Sequence, residues 1–422
     1  MNKIEWKRIV TAFFFAVKTI RTHKARTFLA LLGVVIGVFA VVVVTTLGDG
    51  VKGFILGQVE SFGSDLIQVE VKIPGTGTMS SGNATGRAQG TQITTLTVKD
   101  GEAIKKLSNV KAVYAGSIGQ ERATYGSVGK RIFLFGTGAD VVVVDTNTKL
   151  SQGRFFTADE DANLARVVVL GSETKKTFFG ESEAVGEFIT LKGEKYRVIG
   201  VLASRGAAAF LNFDTFTYVP IQTLQKKILG VDYAQFVSVQ MSDPAHEVET
   251  VADIVALLRK RHDITNPDKD DFSVTSTKEA QKTLSTILGS MTILLLALTS
   301  ISLVVGGVGI MNVMYVSVSE RTSEIGLRKA VGATSASILR QFLFEALIIT
   351  LIGGLVGIGL GVLLSVGLSS LFAHFGFNLV LHFSFASFLL GAGFSMAVGL
   401  IFGIAPAYRA SKLSPMEALR RE

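Results

Sequence analysis

The sequence predicts an α-helical membrane protein with four transmembrane helices and a large mixed α/β extracytoplasmic domain inserted between helices 1 and 2. Of the 422 residues, 48% are hydrophobic and only 18% are charged, which is too apolar for a soluble chain of this length. The apolar residues concentrate in four segments, each long enough to cross a bilayer, which needs about 20 residues. These segments are Phe28–Leu47, Leu288–Val313, Phe342–Phe372 and Phe383–Ile404.

Basic residues predict how these helices are oriented. Residues 1–26 contain seven Lys or Arg and one Glu, whereas the segment 373–382 contains neither Lys nor Arg. Because four spans place both termini and the 315–341 loop on one side, the positive-inside rule assigns that side to the cytoplasm. We expect a multi-pass protein of the cell (inner or cytoplasmic) membrane with both termini cytoplasmic. The net charge of +8 then reflects topology, and no nucleic-acid partner is expected.

The domain boundaries follow from the apolar segments and the charges between them. Residues Ile4–Ile20 are amphipathic and include Trp6, which is typical of a helix at the membrane interface; an extension packed on the protein is the alternative. The predicted domains are an amphipathic cytoplasmic helix (1–26), helix 1 (27–48), the extracytoplasmic domain (49–283), helix 2 with a stalk (284–314), a cytoplasmic loop (315–341), helix 3 (342–372), helix 4 (383–408) and a cytoplasmic tail (409–422).

The extracytoplasmic domain shows both strand and helix patterns. Alternation over Ile67–Val71 predicts a half-buried strand, and Thr97 with Asp100 resembles a capping box. The segment Val185–Leu202 is expected to form a hairpin that turns at Lys192–Gly193–Glu194. The order of the elements suggests two lobes, one inserted in the other. Further predicted elements are strands at Ala112–Ser117, Arg131–Phe135, Arg166–Leu170 and Phe236–Met241 and helices at Ser172–Phe179 and His246–Arg261.

Helix 2 is predicted to be longer than a membrane requires. A helical pattern without a breaker runs over Thr277–Val316, which would be about 60 Å long. We therefore expect helix 2 to continue beyond the membrane as a stalk. Small residues also recur at four-residue spacing in the apolar segments, which permits close packing of helices. The candidate packing residues are Gly33, Gly37, Gly353, Gly357, Gly361, Gly399 and Gly403.

A short charged segment, Val316–Gln341, separates the second and third apolar segments. Ser319 is a candidate helix cap, and Glu324 with Arg328 forms a favourable i,i+4 pair. Gly332 is expected to end this helix, and Thr334 or Ser335 to cap the next one.

The sequence lacks the motifs of common enzymes. It contains no phosphate-binding loop of the GxxxxGK[ST] type and no cysteine, so no catalytic residue is assigned. The five histidines do not show metal-ligand spacing, and all are expected at the surface or the membrane interface. Ser172 follows a predicted strand without a flanking GxSxG pattern, so a strand-to-helix turn is preferred over a nucleophile. Glu345 is expected to cap a helix or to pair with Arg340 or Arg321 rather than to carry protons.

Several stretches together resemble the FtsX/MacB-type permeases of ABC transporters. They are GGVGIMNVM followed by SVSERTSEIGLRKAVGATSASILRQFLFEALIITLIGGLVGIGLG, ARTFLALLGVVIGVFAVV near helix 1, GRFFTADED and VGEFITLKGEKYRVIGVL in the extracytoplasmic domain, and APAYRASKLSPMEALRRE at the end. The resemblance covers essentially the whole chain. It implies a MacB-like periplasmic core domain followed by an FtsX-like permease domain.

The resemblance also implies partners and coupling residues. Members dimerise and pair with a cytoplasmic ATPase, which binds ATP and Mg²⁺ and whose hydrolysis is relayed mechanically to the outer domain. Because only 27 residues precede the first apolar segment, we expect the ATPase on a separate chain. A membrane-fusion-type adaptor is a further expected partner. The implied ATPase-docking helix carries Glu320, Arg321, Glu324, Ile325, Gly326, Arg328 and Lys329, followed by an exit turn at Gly332 and Ala333; without the resemblance, a solvated loop is the alternative.

The expected function is therefore a permease subunit that exports a hydrophobic or peptide-like substrate. Within the same family, the alternatives are an activator of a cell-wall hydrolase and a lipoprotein-extracting permease. A membrane-anchored sensor without an ATPase is an alternative from a different class.

Overall fold

The computed structural model describes residues 24–60, 63, 65–76, 90, 92–205, 207–208, 211–374, 381 and 383–419. The expected amphipathic helix at Ile4–Ile20 lies outside these residues. Within them, four helices are long and apolar enough to cross a membrane. They are span 1 (Lys24–Glu60), span 2 (Thr277–Glu320), span 3 (Ser335–His374) and span 4 (Phe385–Lys412).

Each span continues beyond the apolar segment that predicted it. Helix 1 was predicted to end at residue 48, before the first charged residue, but span 1 continues to Glu60. The helix therefore continues past the predicted end of the membrane segment, because a charge ends membrane burial without ending helical hydrogen bonding. Span 2 begins at Thr277 as predicted and runs to Glu320 without interruption. Two short helices, the loop helix Thr322–Ala330 and the terminal helix Pro415–Leu419, follow span 2 and span 4.

The chain divides into two compact units. The membrane unit ends at Phe54 and resumes at Ser285, and the ectodomain is Ile55–Leu284. The ectodomain strands are β1 (Leu66–Val71), β2 (Val110–Tyr125), β3 (Val128–Thr137), β4 (Leu150–Gly153), β5 (Val167–Leu170), β6 (Phe188–Leu191), β7 (Glu194–Leu202), β8 (Ala207–Ala208), β9 (Leu211–Asn212), β10 (Phe216–Pro220), β11 (Phe236–Met241) and β12 (Phe272–Ser276). Its helices are Val98–Ile104, Val141–Val144, Ala158–Ala162, Ser172–Phe179, Ile221–Thr223 and Glu247–Arg261, with a π-helical turn at Leu224–Leu229 and 3₁₀ turns at Phe213–Thr215, Pro244–His246 and Pro267–Lys269.

Six strands of the ectodomain close into a barrel. β2 pairs with β3, β3 with β10, β10 with β5, β5 with β7 and β7 with β6, and β6 returns to pair with β2. Closure removes free strand edges from this part of the sheet. Apolar side chains fill the interior, among them Ala123, Leu134, Val168, Leu191, Val198 and Val219.

The remaining long strands form an open antiparallel sheet in the order β12, β1, β11 and β2. The helices Val98–Ile104 and Glu247–Arg261 contribute Ile104, Ile254 and Leu258 to the apolar cluster of this sheet. Because β2 is 16 residues long, its first half belongs to the open sheet and its second half to the barrel. The two lobes expected from the sequence thus share one strand and one continuous sheet.

Most local predictions for the ectodomain are confirmed. The helix Ser172–Phe179 has the predicted bounds, and Thr97 and Asp100 form the predicted capping box. The hairpin between β6 and β7 turns at Lys192 and Gly193, which both have positive φ (51° and 81°). Ser172 begins a helix directly after β5, as the predicted strand-to-helix turn requires.

Glycines bring span 1 close to spans 2 and 3. A Cβ on Gly33 would lie 2.4 Å from the Cα of Gly306, so the two backbones touch at that point. Gly37 faces Leu303 of span 2, whose side-chain Cδ1 would lie 2.2 Å from a Cβ at that position. Along span 3, glycines four residues apart contact side chains and backbone of span 1. The contacts are those of Gly353 with Leu31 and Val34, of Gly357 with Val35 and Val38, and of Gly361 with Val42 and Phe39.

Glycines also line the contact between spans 3 and 4. A Cβ on Gly399 would lie 2.3 Å from Oγ1 of Thr350, and one on Gly403 would lie 2.7 Å from Cβ of Ala346. All seven glycines singled out from the sequence therefore face a neighbouring helix of the same chain, and these close approaches depend on the absence of a side chain.

We expect the substitution Gly33→Ala to destabilise the membrane unit by about 1–3 kcal/mol, because the new methyl group meets backbone atoms that cannot move aside. The matched control is Gly359→Ala on span 3, since a Cβ there has no neighbour within 4 Å. Alanine is the better helix former by about 1 kcal/mol, so this control is expected to be neutral or stabilising. The measurement is SDS-induced unfolding followed by circular dichroism. Equal effects of the two substitutions would contradict the close approach at Gly33.

Candidate functional site

The loop helix is separated from span 2 by one residue. Span 2 ends at Glu320 and the loop helix begins at Thr322, with Arg321 between them. The predicted cap, Ser319, therefore lies inside span 2, and that prediction was wrong because the apolar pattern gives no sign that the helix continues through the charged residues. Arg321 occupies the cap position without a side-chain capping bond.

The exit from the loop helix follows the prediction. Gly332 has a φ of +101°, a conformation that glycine adopts without strain. The amide of Gly332 donates to the carbonyl of Lys329, and the amide of Ala333 donates to that of Arg328, both at 3.0 Å. Of the two candidate caps for span 3, the structure selects Thr334, whose Oγ1 accepts from the amide of Ser337.

Arg328 links the loop helix to span 3. Its guanidinium pairs with Glu324 one turn earlier, as predicted, and Nη1 donates to Oε1 of Gln341 at 2.8 Å. The pair within the helix is partly exposed and contributes only a few tenths of a kcal/mol (about 0.3–0.5). The bond to Gln341 matters more for geometry, because it joins the last turn of the loop helix to the first turns of span 3.

Arg321 forms a second link to span 3. Its Nη1 lies 3.1 Å from Oε2 of Glu345, whose side chain is only 1% exposed. Between the two partners expected for Glu345, the structure therefore selects Arg321 and not Arg340. A carboxylate this deeply buried needs a cationic or hydrogen-bonding partner, so the pair fixes where the loop helix begins relative to span 3.

Two more residues of the loop helix contact the end of span 4. Nζ of Lys329 donates to the carbonyls of Ser411 and Leu413, at 2.6 and 2.8 Å. A Cβ on Gly326 would lie 2.4 Å from Cβ of Ala418 in the terminal helix. Ile325 is 2% exposed and belongs to the apolar core of the membrane unit. These three residues, which the resemblance assigned to ATPase docking, contact their own chain.

The opposite face of the loop helix is exposed, together with Glu320 before the helix and Val331 after it. Glu320 and Glu324 are exposed, and so are two apolar side chains, Leu327 (60% exposed) and Val331 (84%). Leu327 and Val331 were not among the site residues predicted from the sequence. Their four-residue spacing was the available signal, since it places both on one face, away from Ile325.

The ectodomain holds a buried charge cluster that the sequence analysis missed. His262, expected at a surface, is only 5% exposed; its Nδ1 lies 2.9 Å from Oδ1 of Asp271 and its Nε2 lies 3.6 Å from Oδ2 of Asp100. These two carboxylates raise the pKa of His262 from 6.5 to about 9. Burial raises the pKa of Asp100, but the nearby His262 cation and the hydrogen bonds from Arg261 and Thr97 outweigh it and hold that pKa well below 3.8.

This cluster joins elements that are distant in sequence. Asp100 is on the helix Val98–Ile104, Arg261 and His262 end the helix Glu247–Arg261, and Asp271 precedes β12. Throughout the described residues, no group of three or more His, Asp or Glu side chains is arranged to hold a metal ion. The arrangement is that of a structural ion-pair network.

Comparisons with known proteins agree with this architecture. The model of the MacB-like periplasmic core domain matches residues 27–257, and the model of the FtsX-like permease C-terminal domain matches residues 296–415. The macrolide export ATP-binding/permease protein MacB of Bdellovibrio bacteriovorus is 36% identical over 96% of this chain and 61% of that protein. The protein of the same name from a Shewanella species is 34% identical over 99% of this chain and 61% of that protein.

A solved structure is also similar. The periplasmic region of MacB from Actinobacillus actinomycetemcomitans matches 54% of this chain and 95% of its own, at a TM-score of 0.45 and 22% identity. The chain spans 61% of the length of the two curated relatives. Since the periplasmic-core model alone covers more than half of the sequence, the chain belongs to the family of ABC transporter permeases that combine a MacB-like periplasmic core domain with an FtsX-like permease domain.

Proposed function

We propose that this chain is the membrane subunit that couples ATP hydrolysis by a separate cytoplasmic ATPase to movement of the ectodomain. The ATPase binds ATP and Mg²⁺, and the transporter exports a hydrophobic or peptide-like substrate. The family membership supports the permease role, and the relatives described as macrolide exporters support the class of substrate.

The observation that carries this proposal is the outward face of the loop helix. It presents two apolar side chains, Leu327 and Val331, next to the exposed carboxylates of Glu320 and Glu324. The loop helix belongs to a charged loop between two spans. The positive-inside rule supports a cytoplasmic location for this loop, and ATP is available in the cytoplasm. A small apolar centre with a charged rim has the composition of a protein-docking surface. The buried face of the same helix is joined to spans 3 and 4, so a partner that moves the helix also moves the spans.

The proposed assembly contains two copies of the chain and an extracytoplasmic adaptor of the membrane-fusion type. Spans 2 and 3 leave large apolar side chains exposed on the single chain, for example Ile293, Val305 and Leu363. These side chains are available to lipid and to a second copy. In this arrangement both termini are cytoplasmic and the protein resides in the inner membrane.

We expect Leu327→Asp to weaken binding of the ATPase by about tenfold or more. Burying a leucine contributes about 1.5–3 kcal/mol, and an aspartate would in addition have to lose its water. The measurement is co-purification with, and affinity for, ATP-binding proteins of ABC transporters from the same organism, co-expressed with this chain. Val248→Asp is the matched control, because Val248 is also an exposed apolar residue (82%, against 60% for Leu327) but lies in the ectodomain.

Two outcomes would contradict the proposal. If the wild-type chain binds no co-expressed ATP-binding protein, the sensor alternative gains support. If Leu327→Asp and the wild type bind the ATPase equally well, the loop helix is not its docking element.

A further inference from the structure

The C-terminal end of span 4 is occupied by a side chain from the loop helix. The last carbonyls of a helix have no partner within it, and a cation placed there is favourable both as a donor and through the helix dipole. Lys329 supplies such a cation, because its Nζ donates to the carbonyls of Ser411, in the last turn of span 4, and of Leu413, which follows the span. The lysine therefore acts as a cap provided by a segment some eighty residues earlier in the chain.

Gly326 provides an independent contact one turn earlier on the same face. The space that its side chain would fill is taken by Ala418, which is buried, and the carbonyl of Pro415 lies 3.6 Å from the same point. The terminal helix is thus seated directly on the backbone of the loop helix. Any larger residue at position 326 would separate the two helices.

We infer that Lys329 and Gly326 are positioning residues that fasten the loop helix to the end of span 4, so that the loop helix and the terminal helix move as one body. Arg321 and Arg328 tie this body to span 3, and Lys329 ties it to span 4. A displacement of the loop helix is thereby shared by spans 3 and 4 as well as span 2. We call the contacts of Lys329 and Gly326 with the end of span 4 and the terminal helix the tie. Its role in ATP-driven coupling rests on the proposed function, whereas its existence does not.

The tie is tested first without any ATPase. The chain contains no cysteine, so Ser323→Cys and Met416→Cys, both at exposed positions, can carry a pair of spin labels on the two helices. In nanodiscs the full chain is expected to show one narrow distance distribution. Lys329→Met and Gly326→Val are each expected to broaden it, and Lys329→Arg to keep it narrow.

Lys412→Met is the matched control for this experiment. It removes the same charge from the same end of span 4, but Nζ of Lys412 lies over the ring of Tyr408 and not on the carbonyls. The control is expected to leave the distribution narrow. A distribution that stays narrow in both Lys329→Met and Gly326→Val, or that broadens equally in Lys412→Met, would overturn the inference.

The second test uses the co-expressed ATP-binding protein. Lys329→Met is expected to bind it as tightly as the wild type, because Lys329 faces the chain interior, while stimulation of ATP hydrolysis by the permease falls at least about fivefold. Lys329→Arg is expected to restore stimulation. Unchanged stimulation in Lys329→Met would overturn the coupling role. If the wild-type chain itself binds no ATPase, the proposed function is wrong. The spin-label distances then test on their own whether the loop helix and the terminal helix move as one body.

Discussion

Replacing Arg321 by methionine is expected to cost the membrane unit about 3–5 kcal/mol, because it leaves the carboxylate of Glu345 buried without its guanidinium. Glu345 is 1% exposed, so water cannot take the place of the lost partner. The change is measurable as a shift in SDS-induced unfolding of the purified chain. Arg340→Met is the matched control: Arg340 is exposed on span 3, and its loss is expected to change stability by less than about 0.5 kcal/mol.

A double substitution distinguishes the cost of leaving one buried charge without its partner from the net contribution of the ion pair to stability. When both groups of a buried ion pair are replaced by apolar residues of similar size, the result is often neutral. We therefore expect Arg321→Met combined with Glu345→Leu to recover most of the stability lost in Arg321→Met alone. If the double variant is as unstable as the single one, the loss of stability does not come from the carboxylate that has lost Arg321.

The substitution His262→Leu is expected to lower the opening free energy of the ectodomain by about 3–5 kcal/mol. It removes the cation that lies between Asp100 and Asp271 and leaves two buried carboxylates with less compensation. Hydrogen exchange of the helices Val98–Ile104 and Glu247–Arg261 reports this locally. His246→Leu is the matched control, since His246 is 56% exposed and pairs with a surface aspartate, so protection is expected to persist there.

The same cluster predicts how ectodomain stability depends on pH. The pKa of His262 is raised in the folded chain, from 6.5 to about 9, so its charged form stabilises the fold. That contribution is complete below pH 6.5 and is lost as the pH rises through 9, about 3 kcal/mol in total. In the wild type, the protection of the amides of these two helices against hydrogen exchange is expected to fall between pH 6.5 and 9. The protection is corrected for the dependence of the intrinsic exchange rate on pH. Protection in His262→Leu that falls by the same amount would contradict this assignment.

Features that depend on neighbouring residues were the ones predictable from the sequence. The capping box at Thr97 and Asp100, the turn at Lys192–Gly193 and the pair of Glu324 with Arg328 each involve residues no more than four apart. Hydrophobicity likewise predicts the four spans, but it does not predict how far the helix of span 1 continues, because helical hydrogen bonds continue where apolar residues stop.

Features that depend on distant pairing were not predictable. The barrel closes through the pairing of β2 with β6, and β10 is buried along its whole length, so it shows no alternation to reveal it. The run of basic residues before His262 suggests a solvated surface, and the carboxylate partners that bury it come from other elements. In the same way, no spacing rule connects Lys329 with the carbonyl of Ser411.

The pairing of β1 in the open sheet has a consequence for the order in which the ectodomain assembles. β1 is synthesised first, yet Leu66 pairs with Gln240 and Ile67 with Ser276, so both neighbours of β1 arrive only after the whole barrel. The hairpins β2–β3 and β6–β7 close locally and do not wait. We therefore expect the barrel to assemble before the open sheet. During that interval, the unpaired edges of β1 are the part of the nascent chain that a chaperone, or another unfinished copy, would bind.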